Sequence, residues 1–269
     1  MKKFVTTHYT LFSDKMQEKS KARFVMLADL HGLVFGEKNI LLLQQIRKYS
    51  PQAVLIAGDM IVRGDSGSME NSGIFLKQLA QEFPVFLSLG NHEYRLYTSH
   101  PYKEQYLQYE KELKEAGVHI LHNQLQEFSV GENRFCIYGL EIPMIYYKKP
   151  KSPMLTEKVT EELIGKRNPD CINILLAHNP KYAQAYFRWG ADLILSGHYH
   201  GGMIRLSRHK GLISPQFQLF PPFCCGDFHK GKQHMLVSAG MGEHSIPVRI
   251  HNPRELLVID MQAERTEQT

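Results

Sequence analysis

The sequence predicts an α/β fold, and three observations carry that reading. Short apolar runs alternate with longer amphipathic runs through the first half, the pattern of strand and helix taken in turn. The second half is richer in strand patterns. The composition, 43% hydrophobic and 22% charged over 269 residues, is that of an ordinary soluble globular chain. It excludes a disordered, a collagen-like or a coiled-coil protein. The longest aliphatic stretch, residues 40–43, is far too short to cross a bilayer.

The elements follow in order. Phe4, Thr6 and His8 alternate with Val5, Thr7 and Tyr9, which predicts a first strand. Residues 23–28 form a short apolar run, read as a buried strand. Residues 37–49 carry a helical pattern stopped before Pro51. Residues 53–57 are a second buried strand. Residues 69–83 place Ile74, Phe75, Leu79 and Ala80 near helical spacing, and residues 85–89 are a third buried strand. Residues 102–116 form a charged helix ended by Gly117. Strands separated by helices imply right-handed βαβ units and a mainly parallel sheet. Then residues 125–130 and 134–139 flank Gly131-Glu132-Asn133, a hairpin. Residues 156–164 form a short helix with Thr156 as its cap. Residues 171–177 and 192–195 are buried strands around a helix at 180–188, and residues 234–239 and 255–260 are late strands. No repeat, low-complexity segment or Gly/Ser linker interrupts the chain. A single domain over residues 1–261 is expected, with a polar tail over 262–269 that frays.

Charge and cysteine add weaker limits. Lys and Arg number 32 against 27 Asp and Glu, a net charge of +5. An anionic substrate or an anionic surface is compatible with that mild bias; dedicated nucleic-acid binding is not implied. Cys136, Cys171, Cys224 and Cys225 lack C-x-x-C spacing, and two are adjacent, so core thiols in a reducing compartment are expected. The opening MKKFVTTHYTLF has two lysines but no apolar core and no small-residue cleavage site. No secretory signal is expected, and the cytoplasm is the expected location.

Five short motifs each follow a predicted strand: Asp29-Leu30-His31, Gly58-Asp59, Gly90-Asn91-His92-Glu93, Ala177-His178-Asn179 and Gly197-His198-Tyr199-His200. The carboxyl ends of strands in an α/β sheet form the ligand crevice, so these residues should converge at one rim. Asp, Asn and imidazole are the donors of Mn, Fe, Zn and Co sites, and no cysteine takes part. In extended chain, residues i and i+2 point the same way, so Asp29 with His31, and His198 with His200, are each expected to share an ion. Gly58 and Gly90 are expected to let the backbone turn sharply as it leaves the strand. Asp59 can bridge two cations through its two oxygens. Taken singly, a D-x-H or G-H-x-H is common, and a histidine after a strand is usually a cap or a surface group. Five in order, each after a buried strand, are not explained that way.

This order resembles the calcineurin-like metallophosphoesterases, whose motifs are D-x-H, G-D, G-N-H-[ED], H and G-H-x-H, over about residues 24–259. The resemblance implies two central mixed β-sheets flanked by helices in four layers. It implies that Asp29, His31, Asp59 and His200 hold one metal, and that Asp59, Asn91, His178 and His198 hold the other. It implies that His92 is no ligand but the group that protonates the leaving oxygen. Ala177-His178-Asn179-Pro180, Ser196 to Gly202, Ser238 to Gly242, Pro247-Val248-Arg249 and Asn252 to Glu255 are similar to a narrower group, the YkuE/YaeI-type phosphohydrolases. Some of that group are anchored or exported, and relatives cleave the pyrophosphate of a lipid A precursor. The chain departs from it at Tyr199, where Thr is frequent, and at Met203, where Gln is frequent.

The expected protein is thus a hydrolase of phosphodiesters or pyrophosphates with two divalent ions (Mn, Fe, Zn, Co or Mg) and a bridging hydroxide as nucleophile. Glu93 and Asp65 are candidates to orient His92. A phosphomonoesterase or protein phosphatase is the alternative within that chemistry, and a non-catalytic scaffold the alternative outside it. The expected partner is a phosphoester, amphiphilic or lipid-linked in one reading, with peripheral membrane contact. Lys148, Lys149 and Lys151, and Arg205, Arg208, His209 and Lys210, read as solvated faces or as a rim that steers an anion. Residues 212–225 are apolar and studded with proline, so a packed loop is expected, with an apolar wall beside the metals as the alternative. Tyr182 and Trp189 are read as helix packing rather than base stacking.

Overall fold

In the computed structural model, which describes residues 2–149, 151–243 and 248–264, the apolar runs become strands that end at a common rim. The first half forms β1 (Phe4–Ser13), β2 (Lys21–Leu27), α1 (Ile40–Tyr49), β3 (Ala53–Ala57), α2 (Ser66–Ala80), β4 (Val85–Ser88), α3 (Asn91–Thr98), α4 (Lys103–Glu115) and β5 (Val118–Ile120). The second half forms β6 (Leu125–Val130), β7 (Asn133–Leu140), α5 (Glu157–Ile164), β8 (Ile172–Ala177), α6 (Ala183–Trp189), β9 (Leu193–Ser196), β10 (Gly226–Lys230), β11 (Gln233–Val237) and β12 (Arg254–Ala263). One six-stranded sheet has the order β1-β12-β2-β3-β4-β5 and the other β10-β11-β9-β8-β7-β6. Both are mixed: β2 to β5 run parallel, while β12 is antiparallel to β2; β7, β8, β9 and β11 run parallel, with β6 and β10 antiparallel at the edges.

Period-two alternation sorts the layers. Phe24, Met26, Leu55 and Phe86 of the first sheet meet Phe135, Ile137, Ile174 and Leu195 of the second. Their neighbours Val25, Leu27, Val54 and Leu87 face the other way, onto Leu42, Ile46, Phe75, Leu79 and Leu113 of the helices. Tyr138, Leu175 and Ile194 do the same against Tyr186, Phe187 and Trp189 of α6. The result is helix, sheet, sheet, helix. Phe24 packs edge-on against Phe135, centroids 5.1 Å apart, across the sheet interface. Truncating such a residue to Ala costs about 3–5 kcal/mol.

Local chemistry moves several boundaries from their expected places. The helix expected from residue 37 starts at Ile40, because Lys38 and Asn39 are left-handed (φ 48° and 63°). The Asn39 side chain accepts from the Phe35 amide at 2.8 Å, a local bond that competes with helix. α2 begins three residues before position 69 because Asp65 caps it, accepting from the Ser68 amide at 3.2 Å. Thr156 caps α5 as expected, and the hairpin turns at Gly131. β5, β10 and α3 were not expected. β12 runs on through Ala263, with Gln262 and Ala263 paired to Phe12 and Ser13, so the sheet passes the expected boundary at 261. Residues 265–269 of the expected tail lie outside the described residues. Tyr182 and Trp189 are buried, and Trp189 Nε1 donates to the Gly165 carbonyl at 2.8 Å, which suits packing. No helix among the described residues is long and apolar enough to cross a membrane.

One buried ion cluster ties α4 to the end of β7. His122 lies between Glu110, 2.9 Å from Nε2, and Glu141, 2.6 Å from Nδ1. Burial alone would lower its pKa; the two carboxylates outweigh that and carry it up to about 9. A folded pKa raised above the ordinary histidine value of about 6.5 means stability that is full below 6.5 and is lost as pH rises toward 9. Thermal unfolding of the wild type should therefore lose more Tm between pH 6.5 and 9 than that of His122→Gln, which has no such proton to lose. Parallel Tm profiles for the two proteins would remove this cluster as the source.

Candidate metal centre

The strand ladder carries on past the end of the strands and sets the ligand loops. The Asp29 amide donates to the Gly58 carbonyl at 3.0 Å, and the His31 amide to the Asp59 carbonyl at 3.1 Å. Five of the seven expected ligands then take left-handed backbone: Asp29 (φ 52°), His31 (50°), Asp59 (54°), His198 (66°) and His200 (47°). For a residue other than glycine each costs on the order of 1–3 kcal/mol, and such costs concentrate at functional sites. Convergence therefore does not come from extended i, i+2 alternation, as the spacing had suggested. It comes from a kink at each strand end.

All seven expected ligands meet at the rim, in two groups. Ligand atoms of Asp29, His31 and His200 lie within 4.8 Å of one another, and so do those of Asp59, His178 and His198. His31 Nε2 is 3.1 Å from His200 Nε2, and His200 Nε2 is 3.4 Å from Asp29 Oδ1. His178 Nε2 is 3.0 Å from Asp59 Oδ2 and 3.8 Å from Asp29 Oδ1, which brings the groups side by side. His198 and His200 fall in different groups, so the expectation from their spacing that they share one ion does not hold. The chain reverses between them into a short 3-10 turn, His200–Gly202. Asn91 opens α3 on the same cavity, and its buried Oδ1 accepts no hydrogen bond.

These contacts fit a cation. His178 Nδ1 lies 2.7 Å from the Ala57 carbonyl, which accepts its proton, so Nε2 is the atom that faces Asp59, as a donor in the protonated ring and as a lone pair in the neutral one. The His31 and His200 nitrogens likewise point at each other. Lone pair against lone pair is repulsive unless a proton or a cation lies between. Nitrogen and oxygen donors without thiolate suit a first-row dication. The electrostatics agree. Burial holds His31 down at about 4, so the ring is neutral. Burial, with the charge of Asp59, pushes Asp29 up to about 7. Burial would also raise Asp59, but His178 and His92 hold it well below the usual carboxylate range. Burial would lower His178, and Asp59 instead carries it up to about 10. The site is short of positive charge.

Neighbouring groups hold the ligands in place. Glu93 accepts from the amides of Asp59 (2.9 Å), Met60 (2.6 Å), Ile61 (3.2 Å) and Gly90 (3.1 Å). The His92 amide donates to Asp59 Oδ1 at 2.8 Å, and the His198 amide reaches Asp29 Oδ1 and Oδ2 at 3.1 and 3.0 Å, joining the two sheets. Gly90 is needed for close approach rather than for its turn, since its φ is −90° and a Cβ would strike Asp59 Oδ1. Asn252 Nδ2 donates to the His200 carbonyl at 2.6 Å, and Arg249 Nη2 to the carbonyls of Ala239 and Gly242 at 2.9 and 2.7 Å. Pro247 of the same motif lies outside the described residues.

Neither Glu93 nor Asp65 orients His92. Glu93 is occupied by the four amides and Asp65 by the cap of α2. The Arg63 amide does so, donating to His92 Nδ1 at 3.1 Å. A backbone donor leaves no sequence signal. His92 packs edge-on against His31, and one of its ring nitrogens is also within 4.8 Å of ligand atoms of His31 and Asp59. Arg95 and Lys149 line the same cavity, of about 370 Å³. Arg95 was missed because α3 was: it lies three and four residues after His92 and Asn91, on their face of the helix. Arg205 and Arg208 lie in ion pairs with Glu255 (3.8 Å) and Asp227 (2.7 Å). The apolar loop neither packs throughout nor walls the metals with its aromatic residues. Pro215 and Gln216 reach the cavity, while Phe217, Leu219 and Phe220 stand exposed.

Comparison with known proteins places this geometry. The family model for calcineurin-like phosphoesterases matches residues 22–202. Bacillus subtilis YpbG is 26% identical over 260 residues, covering 94% of this chain and 86% of its own. Escherichia coli phosphodiesterase YaeI is 26% identical over 224 residues, covering 82% and 75%. A Thermus thermophilus 5'-nucleotidase precursor superposes with a TM-score of 0.51 at 16% identity, over 83% of this chain and 50% of that one, which is likeness of fold.

Gly90→Ala should displace Asp59 without touching the core. The expected result is a Mn²⁺ affinity lower by about tenfold or more, with an unchanged circular dichroism spectrum. Wild-type affinity in a folded variant would mean that the close approach at Gly90 is immaterial.

Proposed function

The chain belongs to the calcineurin-like phosphoesterase family and is a metal-dependent phosphoester hydrolase, and from that premise we propose that it cleaves phosphodiesters or pyrophosphates. The observation that carries the reading is that members of both ligand groups, His31 and His200 of one and Asp59 and His198 of the other, line one cavity with His92. We assign Asp29, His31, Asp59 and His200 to one divalent ion and Asp59, Asn91, His178 and His198 to a second. Mn, Fe, Zn, Co and Mg all suit that donor set. When bound, such a pair supplies neutralisation of phosphoryl charge and a water of lowered pKa.

The chain's own groups do the rest. The Arg63 amide takes the Nδ1 lone pair of His92, so the neutral ring keeps its proton on Nε2. As the water oxygen bonds to phosphorus and the bond to the leaving oxygen breaks, that Nε2–H donates a hydrogen bond to the departing oxygen, and the proton that the water gives up reaches the leaving group through solvent, so that the ring stays neutral. Arg95, which pairs with no carboxylate among the described residues, and Lys149 add positive charge to the cavity wall. They suit a substrate with negative charge beyond the reacting phosphoryl group, and YaeI's activity as a phosphodiesterase agrees. The four buried free thiols suit the expected cytoplasmic location.

Matched aryl phosphate diesters and monoesters, with and without Mn²⁺, test the substrate class. Turnover of the diester that depends on the metal is expected; a clear preference for the monoester would replace this reading with a phosphomonoesterase. Asp59→Asn should cost far more activity than Lys148→Ala, because it weakens both ions. Full turnover in protein carrying less than one ion per chain would sink the two-ion assignment. His92→Ala should keep its metal yet slow turnover by about a hundredfold or more, with the loss shrinking for acidic leaving groups, whose departing oxygen needs no hydrogen bond. Equal losses across leaving groups would mean that His92 positions the substrate or binds metal instead.

A further inference from the structure

Three large apolar side chains stand in water within four residues of chain. Phe217, Leu219 and Phe220 are 65%, 61% and 63% exposed, and none belongs to a core cluster. Scattered exposed apolar groups are ordinary, but three on one loop make a patch that calls for a partner. The loop is built to hold them out. The Ser214 amide donates to the Gln218 carbonyl, the Phe217 amide to the Ser214 carbonyl and the Phe220 amide to the Leu212 carbonyl, each at 2.9 Å. Ile213 and Leu219 form an antiparallel bridge. Phe217 and Phe220 accept left-handed backbone, φ 60° and 47°, with no packing in return.

Cations lie on one side of the patch. The Lys149 ammonium lies 4.7 Å from the centre of the Phe217 ring. Lys148 and Lys151 are exposed beside it in sequence, and no ion pair of these three occurs among the described residues. Gln216 Nε2 reaches the Tyr146 carbonyl at 3.4 Å, which joins the loop to the lysine segment. Neither residues 142–156 nor residues 212–225 contain a carboxylate. A second copy meeting this patch through a two-fold axis would set lysines against lysines, which costs rather than stabilises. An apolar tip with a lysine segment at its side complements an anionic lipid surface.

We propose that the loop docks the protein on anionic phospholipid bilayers: Phe217, Leu219 and Phe220 enter the boundary between headgroups and acyl chains, and Lys148, Lys149 and Lys151 meet the lipid phosphates. Pro215 and Gln216 of this loop, and Lys149, also line the cavity, so docking brings its mouth to the level of the headgroups. Only that consequence rests on the hydrolase reading.

Sedimentation of the full chain with vesicles tests it, using pure phosphatidylcholine and phosphatidylcholine with roughly one third phosphatidylglycerol. The wild type should bind the anionic vesicles, and added salt should weaken binding. The triple variant Phe217→Ser, Leu219→Ser, Phe220→Ser should bind them about tenfold less or weaker still, while unfolding at the wild-type temperature and turning over a soluble aryl diester at the wild-type rate. Phe217→Ser alone should give part of that loss. Absence of wild-type binding, or equal binding by the triple variant, would overturn the proposal. A wild-type dimer that the variant dissolves, with no vesicle binding, would overturn it in favour of a contact between copies. Binding is read on metal-free protein, so a chain that binds vesicles but hydrolyses no phosphoester would sink the substrate reading and leave this one standing.

Discussion

The carboxylate of Glu93 organises the rim. Four backbone amides, from Asp59, Met60, Ile61 and Gly90, converge on its two oxygens. Burial and the charge of Asp59 push its pKa up, and the donated amides pull the other way. With those amides satisfied, the loop after β3 and the start of α3 are locked together. Asp59 then lies against Gly90 and under the His92 amide. Asp59, left-handed in a buried carboxylate cluster, is held by this anchor together with the His31 and His92 amides. The loop of Asp59 and the start of the helix that carries Asn91 and His92 share this one clamp.

The sandwich supplies what the clamp cannot. β2, β3 and β4 end beside β8 and β9 because the inner faces of both sheets share a core. Loops from separate sheets therefore meet, and the His198 amide closes the joint on Asp29. Packing places each strand end, the kinked residues turn the donors inward, and the accumulated lone pairs and carboxylates make the rim a receptor for positive charge. The local strain is borne by a core whose strands are buried on both faces.

Charge is distributed unevenly around that receptor. Arg95 and Lys149 add positive charge to the wall, and the lysine segment continues it outward to the apolar loop. Arg205 and Arg208 contribute little there, since each already faces a carboxylate. The cavity and the exposed apolar tip share one loop.

Period and spacing in the sequence determined the strands other than β5 and β10 and the residues at their ends, because alternation and strand-end position are local properties; the two sheets and four layers were legible only through the resemblance carried by the motifs. The residue types Asp, Asn and His declared the chemistry, since few side chains offer those donors. The grouping of ligands was not local. Spacing paired His198 with His200, yet the reversal after β9 sent them to different groups, and a kink at each strand end replaced the extended geometry that the spacing implied. Nor was the orientation of His92, which a backbone amide of a loop distant in sequence supplies without any signature of its own. Arg95 stayed hidden because its helix begins inside the Gly90-Asn91-His92-Glu93 motif, where no helix was expected. The loop over 212–225 looked like packing because apolar residues usually bury; whether they can is decided by the space around them, and there the backbone bonds of the loop hold three of them in solvent.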